Sequence, residues 1–533
     1  MRRWNGWGDE AVATSLPPRA LELLASLVGT GAPPHDATLG SVLAAVPPTR
    51  LAADPRLDTG PDTRVRHARG QSLPDWVALR SGRLGAVPDA VARPPDAGAV
   101  ADLLALGART GAALLPYGGG TSVVGGVTVR PSDRPIVTID MGATAGLRAL
   151  DETSRLATFG AGTTGPALED ALAPHGLTLG HYPQSFETST VGGWVVTRSA
   201  GQQSRGYGRI EALFAGGHLE TPRGPLDLAP YPASAAGPDL REAILGSEGR
   251  LGILTDVIVR ASAMPKQERF SAYLLPDWDR ALEFARRLAQ FGLPLSMARV
   301  STALETATTF ALAGDGRSTR LLGRYLGLRG MGPERCLVIV GLTGHPSVVG
   351  ATARAVDDLV RGAHGIAGPG IGPAWRKQQF AAPYLRNALW DAGYAVDTLE
   401  TATDWTTLPE LATSLGRTLR HGLDPVGERV HAFSHLSHGY PTGSSVYTTY
   451  VFRLSPDPDE TLDRWRILKS AGSEVIRAHG ATISHQHGVG IDHAPYLTAE
   501  KGPLGMEAIA SLVSTFDPDG RMARGTLFGE GEP

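Results

Sequence analysis

Residues 114–129 read LLPYGGGTSVVGGVTV, with five glycines among the nine positions 118–126. An apolar run leads in and a β-branched run leads out, so the glycines interrupt strand-like sequence. Glycine loses more conformational freedom on folding than any other residue. A gap of this size implies that something approaches the backbone closely. Neither familiar phosphate motif fits. Val123 breaks the third glycine of the dinucleotide fingerprint, and Gly126 and Val127 stand where a P-loop needs Lys and Ser/Thr. What remains is a strand, a turn of bare amides, and the hydroxyls of Thr121 and Ser122. Such a nest holds a pyrophosphate through N–H groups; the same sequence also suits a tight turn in an ordinary sheet.

Two further segments share this texture. YPQSFETSTVGGWVVTRSAGQQSRGYG, 182–208, carries another glycine pair among small hydroxyl residues, and GSEGRLGIL, 246–254, is a glycine-punctuated loop feeding a strand. Around them, AVADLLALGART has a helical period, and AALLP, PIVTID, RLATFGAG and RLGILTDVIVRA read as strands. TGPALEDALAPHG reads as a helix ended by Gly176. Farther on, FSAYLLP, ERCLVIVGLTG, GERVHAFSHLSHG and SSVYTTYVFRL read as strands, interleaved with amphipathic helices such as PDWDRALEFARRLAQFG. The pattern predicts an α+β chain. An N-terminal extension, 1–90, rich in Pro, Gly and Arg with one helix PRALELLASLVG, wraps the core. A first domain covers 91–265. A cap domain over 266–500 has an antiparallel sheet covered by helices. A C-terminal segment, 501–533, returns to the first domain.

The bulk numbers bound the chemistry. The chain of 533 residues is 42% hydrophobic and 19% charged, enough for two or three cores. A net charge of −3 gives no electrostatic case for nucleic acid. The single cysteine, Cys336, allows no disulfide framework and reads as a buried strand residue. MRRWNGWGDEAV lacks the apolar core of a signal peptide, and no run approaches the ~20 apolar residues that span a bilayer. Only four of the 50 basic residues are lysines, and Ala, Gly and Pro are abundant, which suggests a GC-rich bacterial genome. The chain stops at GEGEP with no peroxisomal signal, so a cytoplasmic location is expected.

The three glycine segments, in this order, resemble the FAD-binding domain of the vanillyl-alcohol-oxidase-type (PCMH-type) flavoproteins. The resemblance implies a two-subdomain FAD-binding domain plus a cap. By match, Pro116, Tyr117, Gly118, Gly119, Gly120, Thr121 and Ser122 form the pyrophosphate loop. Gln184, Ser185, Thr188, Ser189 and Thr190, with Gly193, Thr197, Ser199 and Ala200, line the flavin. Glu248, Gly249, Gly252, Ile253 and Leu254 hold the adenosine end and the flavin edge. Many members attach FAD through a histidine just after the glycines; Thr121 stands there, so the resemblance implies non-covalent FAD.

RWNGWG (3–8), RVRHARGQSLPDWVALRSGRLG (64–85), STVGGWVVTRSAG, SMARVS, APYLRNALWDAGY, GSSVYTTYVF and ISHQHGVG resemble the alkyldihydroxyacetonephosphate synthase branch. That branch replaces an acyl group on dihydroxyacetone phosphate by a fatty alcohol through flavin N5 chemistry, with no net redox change. Carried over, Tyr447 does the acid–base work, His485 and His487 assist near the flavin, Arg386 grips the phosphate, and Arg299 belongs to the same set. A tyrosine titrates near 10, so cationic neighbours lowering its pKa are expected to make it useful. The sequence departs from the branch at Gln486, where the middle of three histidines usually stands, and at FDPDGRMARG, which lacks the usual asparagine–proline.

The main alternative is an FAD-dependent oxidoreductase: an oxidase, or a 2-hydroxy-acid dehydrogenase of the same superfamily. The latter carry GDGNxH and EHGIG segments; here PTGSSVY and HQHGVG replace their ionisable ligands. No metal is expected, although His435, His438, His485 and His487 make zinc conceivable by composition. The partners expected are a small-molecule substrate and, by association with relatives, a second copy in a homodimer.

Overall fold

In the computed structural model the described residues are 2–312, 324 and 326–529. The last residues of the C-terminal segment, 530–533, lie outside them. The chain folds as mixed helix and sheet, organised around three main sheets.

The stretch at 114–129 decides the first sheet. Ala113–Tyr117 pairs parallel with Ile136–Asp140, which pairs parallel with Ala90–Ala92, and Leu57–Asp58 adds an antiparallel edge. Parallel neighbours need a crossover. Helix Ala97–Thr110 supplies one, capped by Asp96 at its start and by left-handed Gly111 at its end. The glycine run begins where the strand Ala113–Tyr117 stops, at the carboxyl end of a parallel sheet, where α/β folds seat ligands.

A second, wholly antiparallel sheet runs in the order Leu147–Asp151, Leu156–Gly160, Ile253–Arg260, Phe214–Thr221, Gly224–Leu228. The glycine loop at 246–254 feeds its central strand. Phe159, Trp194, Phe214 and Val257 share the core beneath it.

The third sheet is antiparallel and seven-stranded, in the order Ile366–Ala367, Gln267–Leu275, Cys336–Gly344, Met297–Ser301, His431–Tyr440, Gly443–Arg453, Tyr394–Asp404. Helices Trp278–Gln290, Pro346–Gly362, Leu408–His421 and Pro458–Ala478 cover one face. Leu411, Leu415 and Leu419 recur at helical spacing and are fully buried, each stabilising by about 1.5–3 kcal/mol. Cys336 is a buried strand residue, as its surroundings predicted. Among the described residues no helix is long and apolar enough to cross a membrane.

The first ninety residues are more structured than their composition suggests. They hold four helices, Pro18–Val28, Leu39–Ala44, Pro61–Arg66 and Leu73–Ser81. Leu73–Ser81 starts with a full capping box from Ser72 and Asp75. Trp7 and Asn387 exchange backbone and side-chain hydrogen bonds across 380 residues of sequence. Arg80 lies against both Trp76 and Trp390 while its Nη1 donates to Asp36 and Asp391. The N-terminal segment is thereby fastened to the cap helix Ala382–Asp391.

Candidate active site

A cavity of about 510 Å³ lies between the glycine loops and the seven-stranded sheet. All but one of the expected cofactor residues line it; Thr188 does not. Of the expected catalytic residues, Arg299, Arg386, Tyr447 and His487 line it and His485 does not.

The glycine loop has a double role. A Cβ on Gly118 would lie 2.4 Å from Thr190 Oγ1, and one on Gly119 would lie 2.0 Å from the Thr188 carbonyl. Gly120 has φ +62°, and a Cβ there would meet the Tyr117 hydroxyl. One side of the loop therefore packs backbone to backbone against 188–190, which places Thr188 behind the wall. The other side faces the cavity. The N–H groups of Gly119 to Val123 find no acceptor among the described residues. A row of free backbone donors facing the cavity fits a pyrophosphate.

Glu248, expected near the adenosine end, uses its carboxylate otherwise. It has φ +50° and accepts from the amides of Val489 and Gly490, joining the first domain to the loop after His487. Burial pushes its pKa up to about 7 against those two donors.

The reacting end is built on a row of cross-strand partners. Glu400 pairs with Tyr447, and Tyr447 pairs with His435, so the three side chains leave the sheet on one face. His435 and Tyr447 stack with ring centres 4.9 Å apart, and His487 meets the Tyr447 ring edge-on at 5.8 Å. The expected lowering of the Tyr447 pKa does not occur. Burial, with Glu400 next, raises it, and Arg299 only partly offsets this. The residue is held as a phenol.

Glu400 is the hub, and sequence reading did not single it out. Its carboxylate accepts from Gln486 Nε2 at 2.6 Å and Ser437 Oγ at 3.1 Å, and lies 3.3 Å from His485 Nδ1 and 3.6 Å from His487 Nε2. Burial opposes its charge, yet His438 and His485 outweigh it and hold the pKa well below the usual range. His485 sits behind the wall. Arg209 Nη1 lies 2.9 Å and the Tyr440 hydroxyl 2.7 Å from its Nε2. Arginine only donates, so Nε2 accepts and the ring proton sits on Nδ1, toward Glu400. Burial lowers the His485 pKa to about 4.

Glu400, His438 and His485 are spaced to share a metal ion. The Nδ1 proton of His485 and the adjacent Arg209 both work against a cation there.

Arg386 is the clearest anion seat. It stacks 4.4 Å above Trp76, Nη1 donates to the Gln71 carbonyl, and buried Nε and Nη2 have no partner among the described residues. Burial pulls its pKa down to about 10. Another part of the wall is apolar, formed by Leu23, Leu24, Leu312, Leu389, Phe433 and Val451. Leu23 and Leu24 come from helix Pro18–Val28, so the N-terminal extension builds part of the site rather than merely wrapping it.

Comparison with known proteins places this architecture. The family described as FAD binding domain matches residues 88–226, and that described as FAD linked oxidases, C-terminal domain, matches 264–527. Alkyldihydroxyacetonephosphate synthase of Dictyostelium discoideum is 30% identical over 464 residues, 85% of this chain and 76% of that protein. The chain belongs to the alkyldihydroxyacetonephosphate synthase family of FAD-linked enzymes. The synthase of Trypanosoma brucei brucei is 26% identical, covering 85% of this chain and 75% of that protein. A solved structure of an alkyldihydroxyacetonephosphate synthase superposes with a TM-score of 0.83 at 25% identity, covering 98% of both chains. The enzyme is a PCMH-type flavoprotein and its cofactor is non-covalent FAD. The free amides of the glycine loop and the space before them suit that cofactor.

Proposed function

We propose that this enzyme exchanges an acyl ester for a fatty alcohol on a phosphorylated ketone, with no net redox change. Arg386 carries the reading. It is a desolvated guanidinium with two nitrogens unpartnered among the described residues, on the wall of a cavity that has an apolar stretch as well as a polar one. A cation and an apolar stretch on the wall of one cavity suit a substrate with an anionic head and a lipid tail. Phosphate oxygens accept from Nε and Nη2 in the bidentate manner of arginine. When bound, FAD would supply a reactive ring nitrogen, N5, for chemistry on the substrate.

Tyr447 is the acid–base group. As a buried phenol it begins by giving a proton to the substrate and recovers it later, a contribution of typically ~10²–10⁴-fold. His487 fixes the Tyr447 ring from its edge, and Glu400 fixes His487. His485, away from the cavity, acts by positioning Glu400. The names of the relatives from Dictyostelium discoideum and Trypanosoma brucei brucei support the same reading.

The test is direct. The flavin-loaded enzyme is incubated with an acylated dihydroxyacetone phosphate and isotopically labelled hexadecanol. Label in an ether product, with fatty acid released in equal amount, is expected. Absence of both rejects the reading.

A further inference from the structure

The ring stacked on Tyr447 has its own support, independent of Glu400. His435 Nδ1 lies 3.0 Å from Glu305 Oε1, and Arg299 Nη2 donates to the same oxygen at 2.5 Å. His435 and Glu305 side chains are each only 4% exposed. A carboxylate held by arginine only accepts, so the His435 proton sits on Nδ1 and the lone pair on Nε2. Nε2 has no partner among the described residues, and His435 lines the cavity. Tyr447 stacks on it, and Phe433, His431, Leu24 and Leu312 line the same cavity. His431 is already engaged with Thr308 Oγ1 at 2.9 Å. His435 thus presents a free basic nitrogen on the cavity wall directly beside the Tyr447 ring.

We propose that His435, oriented by Glu305, is the base that takes the hydroxyl proton of the entering alcohol. The inference rests on the exchange reading above. In the step, the alcohol O–H bond breaks and an Nε2–H bond forms while the alcohol oxygen bonds to the substrate carbon. The acyl group leaves that carbon as a carboxylate, keeping the electron pair of the broken C–O bond. The imidazolium passes its proton to solvent as the fatty acid leaves, and no electrons are gained or lost. Glu305 stabilises the transient imidazolium, the arrangement by which a carboxylate assists a catalytic histidine. The charged and titratable groups around His435 are Arg299 on the neighbouring strand, Glu305 on helix Ala303–Leu312, Tyr447 on the other neighbouring strand, and Glu400 beyond it. Burial and Arg299 disfavour the imidazolium, and Glu305 favours it.

The test compares flavin-loaded wild type, H435Q, E305Q, E305D and Y447F in the exchange of an acylated dihydroxyacetone phosphate with hexadecanol or 2,2-difluorohexadecanol. The fluorinated alcohol gives up its proton more readily. H435Q is expected to lose ~10²–10⁴-fold with hexadecanol and to recover at least about tenfold of that loss with the fluorinated alcohol; Y447F is expected to show no such recovery. E305Q should shift the acid limb of kcat/KM to lower pH, because the carboxylate that favours the imidazolium is gone, and E305D should restore part of the shift. Wild-type rates in H435Q, or a penalty equal for both alcohols, overturn the inference while leaving the exchange reading intact. If H435Q does not retain flavin, an unshifted limb in E305Q overturns it. Wild type that exchanges neither alcohol removes the exchange reading and this inference with it.

Discussion

Gln486 and Glu400 meet at 2.6 Å, the amide nitrogen donating to a fully buried carboxylate. The position that departs from the synthase branch therefore keeps a hydrogen bond to the hub and gives up a titratable ring. The other amide atom, Oε1, is buried with no partner among the described residues.

Gln486→Leu should destabilise the protein by about 1.5–3 kcal/mol, the usual contribution of a hydrogen bond to a charged group. Denaturant titration checks this. Gln486→His should fold and bind flavin, restoring the histidine of the branch pattern. An unchanged midpoint in Gln486→Leu contradicts the role given to Glu400.

Tyr447→Phe should reduce turnover by ~10²–10⁴-fold while leaving the visible flavin spectrum intact. Wild-type turnover in that variant excludes the phenol as proton carrier.

Arg386→Met keeps volume over Trp76 and removes the charge. KM for a phosphorylated substrate should rise by about 10- to 100-fold, in line with the ~1.5–3 kcal/mol of a hydrogen bond to a charged group. Inorganic phosphate should inhibit wild type and spare the variant. Equal inhibition of both assigns the anion to another group.

Gly119→Ala places a methyl 2.0 Å from the Thr188 carbonyl and should displace the glycine loop. The variant should purify with little flavin, read as the ratio of visible to ultraviolet absorbance. Acid precipitation of wild type should release all colour to the supernatant, as non-covalent FAD requires.

Acid should weaken the fold before it protonates the carboxylates. Burial lowers the pKa of His431 and His485 to about 4 and of His181 and His493 to about 3. The unfolded chain takes these protons near 6.5, so stability is full above that value and falls as pH drops toward 4. Glu305, held at about 2 because His435 and Arg299 outweigh its burial, adds a further loss only below about 4.5. Thermal melting at about pH 7.5 and about pH 5 should show a lower midpoint in acid; an equal midpoint contradicts the burial of these rings.

The sequence was readable where chemistry is local. The glycine loop announced itself by composition, and the strands Ala113–Tyr117 and Ile136–Asp140 by apolar runs between turns. Tyr447, Arg386 and His487 came through resemblance alone, since nothing in an alternating strand or a helix marks one tyrosine or arginine as different. Glu305 and Glu400 were not legible. Each is a lone acid in an ordinary helix or strand, and its partners lie 130 and 86 residues away in His435 and Gln486. The Tyr447 pKa was misjudged for a related reason: sequence names the cations nearby but not the depth of burial that overrides them. The N-terminal helix was legible as a helix but not as part of the cavity, because its apolar face has no address until the sheet is built.

The central claim is that one cavity holds FAD and uses it without net electron transfer. Anaerobic mixing of the flavin-loaded enzyme with an acylated dihydroxyacetone phosphate, a fatty alcohol and an electron-accepting dye tests it most directly. The account predicts ether product and free fatty acid in equal amounts with the dye still oxidised. Dye reduction by a 2-hydroxy acid, with no ether formed, would contradict it.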